Sequence, residues 1–282
     1  MAMQQVSTIS LLRNTLKQWR LTGDRIAFVP TMGNLHAGHI KLVKEARKQA
    51  DKVVVSIFVN PTQFGLGEDF NSYPRTEKTD QEKLQEAGAD LLFLPAVNEI
   101  YAKHSMTAVT VPALSKSYCG ASRPGHFEGV AMVVTKLFNM VQPDVSIFGK
   151  KDFQQLLVIR TLVHDLNIPV EIVGVETERE FDGLAMSSRN TYLTAKERLL
   201  APELYRAICR AREAVYDGEQ SLKSIERQAI KQLTGLGFMV DYFSICRSQD
   251  LQPATEDDKH LLIMVAAKLG SPRLIDNMSF SR

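Results

Sequence analysis

Ile26-Ala-Phe-Val-Pro-Thr-Met-Gly-Asn-Leu-His-Ala-Gly-His39 decides the architecture of this chain. Its apolar start, 26–29, reads as a strand, 30–39 as a turn, and the amphipathic run that follows, 40–50, as a helix. Such a junction presents backbone N–H groups and the positive end of a helix dipole, which suits phosphate. His36 and His39 add two imidazoles three residues apart. As an isolated pair they are equally compatible with surface positions, but their place directly after a strand favours function. With no Glu or third His nearby in sequence, stabilisation of a phosphate is a better reading than zinc, which wants three protein ligands.

The same rhythm continues outward. Apolar runs at 53–59, 91–94, 145–148 and 170–175 alternate with helical patterns at 76–87, 130–140 and 153–166. Continuous runs such as Val53-Val-Val-Ser-Ile-Phe-Val59 suit parallel strands buried on both faces, where polar alternation disappears. The expectation is an α/β fold, a doubly wound parallel sheet with ligands at the carboxyl ends of its strands. Beyond residue 175 the pattern changes to a loop at 176–190, helical stretches at 194–216 and 221–236, and short strands near 239–245 and 260–266. These read as a smaller α+β domain, dividing the chain into 1–176 and 177–282.

The 282 residues carry 34 Lys plus Arg against 32 Asp plus Glu, so a net charge of +2 gives no basic field for nucleic acid and favours small-molecule partners. The three cysteines, 119, 209 and 246, are an odd, scattered set with no Cys-x-x-Cys, which points to a reducing cytoplasm. No apolar run approaches the roughly 20 residues that a bilayer crossing requires, and no signal-peptide pattern opens the chain.

Four further segments follow strands or join the two parts. Asn60-Pro-Thr-Gln63 places two amides at a strand end; Asn60 fits a turn, and Gln63 is the stronger candidate for orienting a hydroxyl or carboxylate. Arg123, in Ser122-Arg-Pro-Gly-His126, offers a planar fork matched to carboxylate or phosphate. Gly149-Lys-Lys-Asp-Phe-Gln-Gln155 repeats the strand, glycine, helix plan; its lysines suit phosphates, Asp152 suits a helix cap and Gln155 lies one turn on. Met186-Ser-Ser-Arg189 adds two hydroxyls and a guanidinium. Paired with the histidine turn, it is the arrangement expected of an ATP-activating enzyme.

On these residues the chain resembles the pantoate–β-alanine ligase family, the pantothenate synthetases. The segments 30–39 and Phe58-Val-Asn-Pro-Thr-Gln-Phe64 fit its pattern, as do Tyr73-Pro-Arg-Thr76 and Arg123-Pro-Gly-His-Phe127. So do 149–155, Asp182-Gly-Leu-Ala-Met-Ser-Ser-Arg-Asn190 and Leu274-Ile-Asp-Asn277, in the same order. The resemblance implies a Rossmann-like domain of the HIGH-motif nucleotidyltransferase superfamily, which binds ATP and pantoate, with the smaller domain as a lid. It implies a homodimer that joins pantoate to β-alanine through a pantoyl adenylate, with magnesium carried by the ATP. By matching position, Met32, Gly33, Asn34, Leu35, His36, Ala37, Gly38 and His39 line the ATP site, with His39 as proton donor. Gly149, Lys150, Lys151, Asp152, Glu178, Met186, Ser187, Ser188 and Arg189 complete it, and Lys151, Ser187 and Arg189 touch the phosphates. Gln63 and Gln155 hold pantoate, and Gln63 also serves β-alanine; Asn60 and Arg123 are secondary candidates beside them.

Three positions depart from the family pattern. Lys150 stands where Glu is usual, Glu178 where the family contacts adenine through its backbone, and Gly65-Leu-Gly-Glu68 rewords a loop. Two rival readings are an adenylyltransferase of the same superfamily, which leaves AMP on its product, and a non-catalytic nucleotide sensor. Gln63 and Gln155 argue against the first; intact His36, His39, Lys151 and Arg189 argue against the second.

Overall fold

In the computed structural model, which describes residues 3–65, 67–103, 105–218 and 221–282, the chain opens with β1 (Gln4–Val6) and α1 (Ile9–Leu21). Then come β2 (Ile26–Thr31), α2 (Ala37–Gln49), β3 (Lys52–Ile57), α3 (Glu77–Glu86) and β4 (Leu91–Phe93). Three single turns, α4 (Val97–Ile100), α5 (Pro112–Ser115) and α6 (Cys119–Ser122), lead to α7 (His126–Val141), β5 (Val145–Gly149), α8 (Phe153–Asp165) and β6 (Glu171–Val175). The remainder forms α9 (Ala195–Leu200), α10 (Glu203–Asp217), α11 (Leu222–Gly235), β7 (Met239–Arg247), β8 (His260–Lys268) and β9 (Arg273–Ser281).

The chain divides into two compact units, Met1–Lys150 with Val158–Glu176, and Lys151–Leu157 with Thr177–Arg282. The segment Lys151–Leu157, which opens α8, therefore groups with the second unit, whereas the sequence pattern assigned it to the first. Its partner is distant in sequence: Asn277 Nδ2 in β9 donates to the Lys151 carbonyl at 2.7 Å.

The first unit holds the expected parallel sheet, in the order β1-β4-β3-β2-β5-β6. Ala27 and Val29 of β2 pack with Val43 and Ala46 of α2 on one face, while Ile26, Phe28 and Val54 are fully buried on the other. Burial on both faces explains why the strand runs are continuous, each buried Val, Ile or Phe side chain contributing roughly 1.5–3 kcal/mol. From β2 the chain steps to β3 and β4 on one side and returns to β5 on the other. That reversal flanks the carboxyl ends of β2 and β5, the position where open sheets of this kind bind ligands.

The second unit is an antiparallel sheet, β7-β8-β9, covered by α10 and α11. The helical pattern at 194–216 is two helices, because Pro202 lacks the N–H and the space a continuing helix needs. β9 was not expected from the apolar pattern. Its buried positions include Asp276 and Asn277, which break the alternation that marks a strand. Among the described residues no helix is long and apolar enough to cross a membrane, and none of the three cysteines is in a disulfide.

Candidate active site

The turn after β2 is built from unusual backbone. Gly33 has φ +82° and Asn34 φ +51°, and a Cβ on Gly33 would lie 3.0 Å from Ile57 Cγ2 and 3.2 Å from Asp80 Oδ2. Glycine at 33 is thus required by both conformation and space. The turn's N–H groups already have acceptors: Gly33 N donates to Thr31 Oγ1 (3.2 Å), Asn34 N to Asp80 Oδ2 and Leu35 N to Asp80 Oδ1 (both 2.8 Å). The expected cradle of open N–H groups is therefore differently made, since these three serve the loop's own shape.

His36 caps α2, which starts three residues earlier than the apolar period indicated. Its Nδ1 accepts from Gly38 N at 3.2 Å, and His36 N donates to His39 Nδ1 at 3.3 Å. A backbone N–H can only donate, so each neutral ring carries its proton on Nε2. The ring centroids are 4.1 Å apart. Two imidazoles are thereby presented together as Nε2–H donors, at the cap and first turn of α2, after the loop that follows the carboxyl end of a central strand.

Next to this turn, Gln63 closes a short helical turn, Pro61–Gln63, after β3. Its Nε2 donates to Met32 Sδ at 3.0 Å, and its Oε1 accepts from Asn60 Nδ2 at 3.0 Å. Asn60 is a buried hub. Its Nδ2 also donates to the Gly129 carbonyl (3.1 Å), while its Oδ1 accepts from Thr62 N, Thr62 Oγ1 and Tyr101 Oη. Burial pushes the Tyr101 phenol up, against the hydrogen bonds from its neighbours. Helix α7 approaches so closely that a Cβ on Gly129 would meet Thr62 O at 2.4 Å.

Arg123 does meet a carboxylate, but one from the chain itself. Its Nε and Nη2 donate to Glu68 Oε1 and Oε2 at 2.7 and 2.6 Å, a two-point pair. Burial pushes the Glu68 carboxyl up, but the hydrogen bonds and charge of Arg123 outweigh it, and the carboxyl titrates below its ordinary range. His126 Nδ1 lies 2.8 Å from the Gln63 carbonyl. The Arg123 fork is thus committed to Glu68 and to the Gln63 carbonyl; Leu66 lies outside the described residues. Gly149 ends β5, and Lys150 pairs with Glu176.

In the second unit, Lys151 Nζ lies 3.8 Å from Asp152 Oδ2, and its carbonyl is held by Asn277. Asp276 is buried and accepts two hydrogen bonds from Arg179, at 2.7 and 2.9 Å, and one from Asn277 N. Arg179 stacks over the Tyr205 ring at 3.7 Å. The sequence pattern gave no sign of Arg179 and contained Asp276 only within the segment 274–277; the two pair across 97 residues of chain.

Residues 178–190 form a folded loop. Glu178 O accepts from Met186 N at 2.9 Å, Arg179 bridges to Ala185, and Asp182 pairs with Arg198 at 2.5 Å. The Arg198 hydrogen bond outweighs partial burial and holds the Asp182 carboxyl below its usual value. Ser187 Oγ accepts from Arg189 N at 3.3 Å and opens the turn Ser188–Tyr192. Gln155, two residues into α8, is half-buried.

Among the described residues no group of three or more His, Cys, Asp or Glu side chains forms a metal cage.

The family described as Pantoate-beta-alanine ligase matches residues 4–279. A pantothenate synthetase of Pseudomonas fluorescens SBW25 is 53% identical over 98% of both chains, and one of Shewanella loihica is 54% identical over 99% of this chain and all of its own. Among solved structures, pantothenate synthetase from Thermus thermophilus gives a TM-score of 0.92 at 47% identity, covering 98% of this chain and 99% of its own. Pantoate-beta-alanine ligase from Francisella tularensis, complexed with beta-gamma ATP and beta-alanine, gives 0.83 at 33% identity over 98% and 97%. The family match across 4–279 and curated relatives at more than half identity over nearly the whole chain place it in the pantoate–β-alanine ligase family.

Proposed function

We propose that this chain is an ATP-dependent ligase that condenses pantoate with β-alanine to give pantothenate, AMP and pyrophosphate. The single observation that carries the reading, in a chain of this family, is the turn at 33–39. It presents His36 and His39 as two fixed Nε2–H donors at the sheet's reversal point. The Francisella family member, captured with beta-gamma ATP and beta-alanine, supports ATP and β-alanine as substrates here.

In the first step a pantoate carboxylate oxygen attacks the α-phosphorus of ATP, the bond to the β,γ-diphosphate breaks, and pantoyl adenylate and pyrophosphate form. No protein nucleophile is needed; alignment and neutralisation of the developing charge are. His36 and His39 supply hydrogen bonds to the phosphates, with His39 as proton donor, and Lys151, Ser187 and Arg189 supply further contacts. Gly149, Lys150, Asp152, Glu178, Met186 and Ser188 complete the nucleotide site. Gln63, held by Asn60 and Met32, orients pantoate together with Gln155. In the second step the β-alanine amine attacks the acyl carbon, AMP leaves, and the amine gives up a proton. Magnesium enters as part of the ATP substrate, coordinated chiefly by phosphate oxygens and water. Residues 1–176 serve nucleotide and pantoate and 177–282 act as a lid, which small-angle scattering with and without ATP plus pantoate would test. The enzyme is a cytoplasmic homodimer, a state that sedimentation would check.

An AMP-release assay with each substrate omitted in turn, repeated with His39→Ala, tests the assignment. AMP appearing only with ATP, pantoate and β-alanine together, and falling by about 10²-fold or more in the variant, is the expected result. AMP retained on the product would favour an adenylyltransferase; nucleotide binding with no turnover would favour a sensor.

A further inference from the structure

Asp80 is a buried carboxylate that the proposed chemistry does not use, on a helix with no assigned substrate contact. It lies on α3, 1% exposed, on the same face as the fully buried Leu84 four residues on. A carboxylate in such a place is strongly unfavourable unless its oxygens are satisfied. Both are: Oδ2 accepts from Asn34 N and Oδ1 from Leu35 N, each at 2.8 Å. One turn along α3, Lys83 Nζ donates to the Leu35 carbonyl at 2.6 Å. The N–H and the C=O of one residue, Leu35, are thus gripped by two side chains of opposite charge at i and i+3. Gly33 lies close enough to Asp80 that a Cβ would touch the carboxylate.

We infer that Asp80 and Lys83 are positioning residues that clamp the nucleotide turn and fix the entry of the chain into the His36 cap. The inference rests on the reading that this turn binds ATP. Its physical basis is conformational. Asn34 is a non-glycine residue at positive φ, a conformation that costs free energy and persists only where neighbours impose it. The Asp80 carboxylate is the group that imposes it, because its two oxygens are satisfied only when the Asn34 and Leu35 N–H groups turn together toward α3. His36 follows directly, so slack at 34–35 would be transmitted to the cap and to the separation of the two rings. Neither side chain donates to the phosphates; they act through the turn.

The test compares wild type, Asp80→Asn and Lys83→Met. Asn replaces one acceptor oxygen with an NH2 donor facing a backbone N–H, and Met keeps the lysine stem while removing its donor. Lys83 is only half-buried, so its variant remains folded if Asp80→Asn does not. Affinity for the non-hydrolysable analogue α,β-methylene-ATP is measured by calorimetry, and KM for each substrate by AMP release. The expected result is a loss of about tenfold or more in analogue affinity and in kcat/KM for ATP in Lys83→Met. KM for pantoate and β-alanine should stay within about twofold, and the melting temperature close to wild type. Equal analogue affinity in wild type and the folded variants overturns the clamp, as does an equal rise in all three KM values. If wild type itself releases no AMP, the functional reading falls, while the affinity comparison still decides the clamp.

Discussion

Replacing Gly129 with alanine tests how the turn that carries Gln63 is held in place. Gly129 is the fourth residue of α7, and its added Cβ would lie 2.4 Å from Thr62 O, 2.6 Å from Thr62 C and 2.7 Å from Gln63 N. All three are backbone atoms, so no side chain can swing away; helix and turn must part by most of an ångström. Overpacking of this kind costs typically 1–3 kcal/mol, and a contact with rigid backbone belongs at about 3. Against it, alanine in a helix gains about 1 kcal/mol over glycine, leaving a net loss of about 2 kcal/mol. The same separation stretches the 3.1 Å bond from Asn60 Nδ2 to the Gly129 carbonyl, the anchor that orients Asn60 toward Gln63. Urea unfolding should therefore show the stability loss, and steady-state kinetics a rise in KM for pantoate larger than that for ATP. A Gly129→Ala protein as stable as wild type, with unchanged pantoate KM, would show that the close approach does not hold Gln63 and would refute the reasoning.

His36→Asn separates capping from chemistry. Asn is an equally good N-cap, so stability should hold within about 0.5 kcal/mol while kcat/KM for ATP falls 10²-fold or more; parallel losses in both would assign His36 to structure alone. The Glu68 carboxyl titrates below its unfolded value of 4.5 because of Arg123, so its pairing stabilises fully above that pH and is lost as pH falls through the lower folded value. The stability gap between wild type and Glu68→Gln should accordingly shrink from about pH 6 to about pH 3, and a constant gap would rule the pair out as a source of acid sensitivity. Asp276→Ala strands the Arg179 guanidinium without its two-point partner and should cost about 3–5 kcal/mol in thermal unfolding; a loss below about 1 would mean that the pair carries no load.

Much of this protein is written locally. The strand, turn and helix at 26–50 can be read from apolar runs, a glycine and a change of period, because each depends on neighbours within a few residues. The break at Pro202 is of the same local kind, since a proline excludes a continuing helix whatever surrounds it. Gln63 and the histidines stand out for the same reason: their chemistry is a property of residue type and of position after a strand.

What the tertiary structure decided is which groups are already spent. Nothing near Arg123 in sequence says that its fork is taken by Glu68, 55 residues away, or that Asn60 is a hub tied to Gly129. β1 is too short to announce itself and becomes a strand by pairing with β4; β9 conceals itself by burying Asp276 and Asn277. Asp80 left one trace, an acid on the apolar face of its own helix, but its partners lie 45 and 46 residues back along the chain. The sequence determined the local elements and the kind of chemistry, because propensity and side-chain type are local. Hydrogen-bond partners across long separations exist only once the sheet has brought its strand ends together, and those partners decide which polar groups hold the fold and which remain for the substrate.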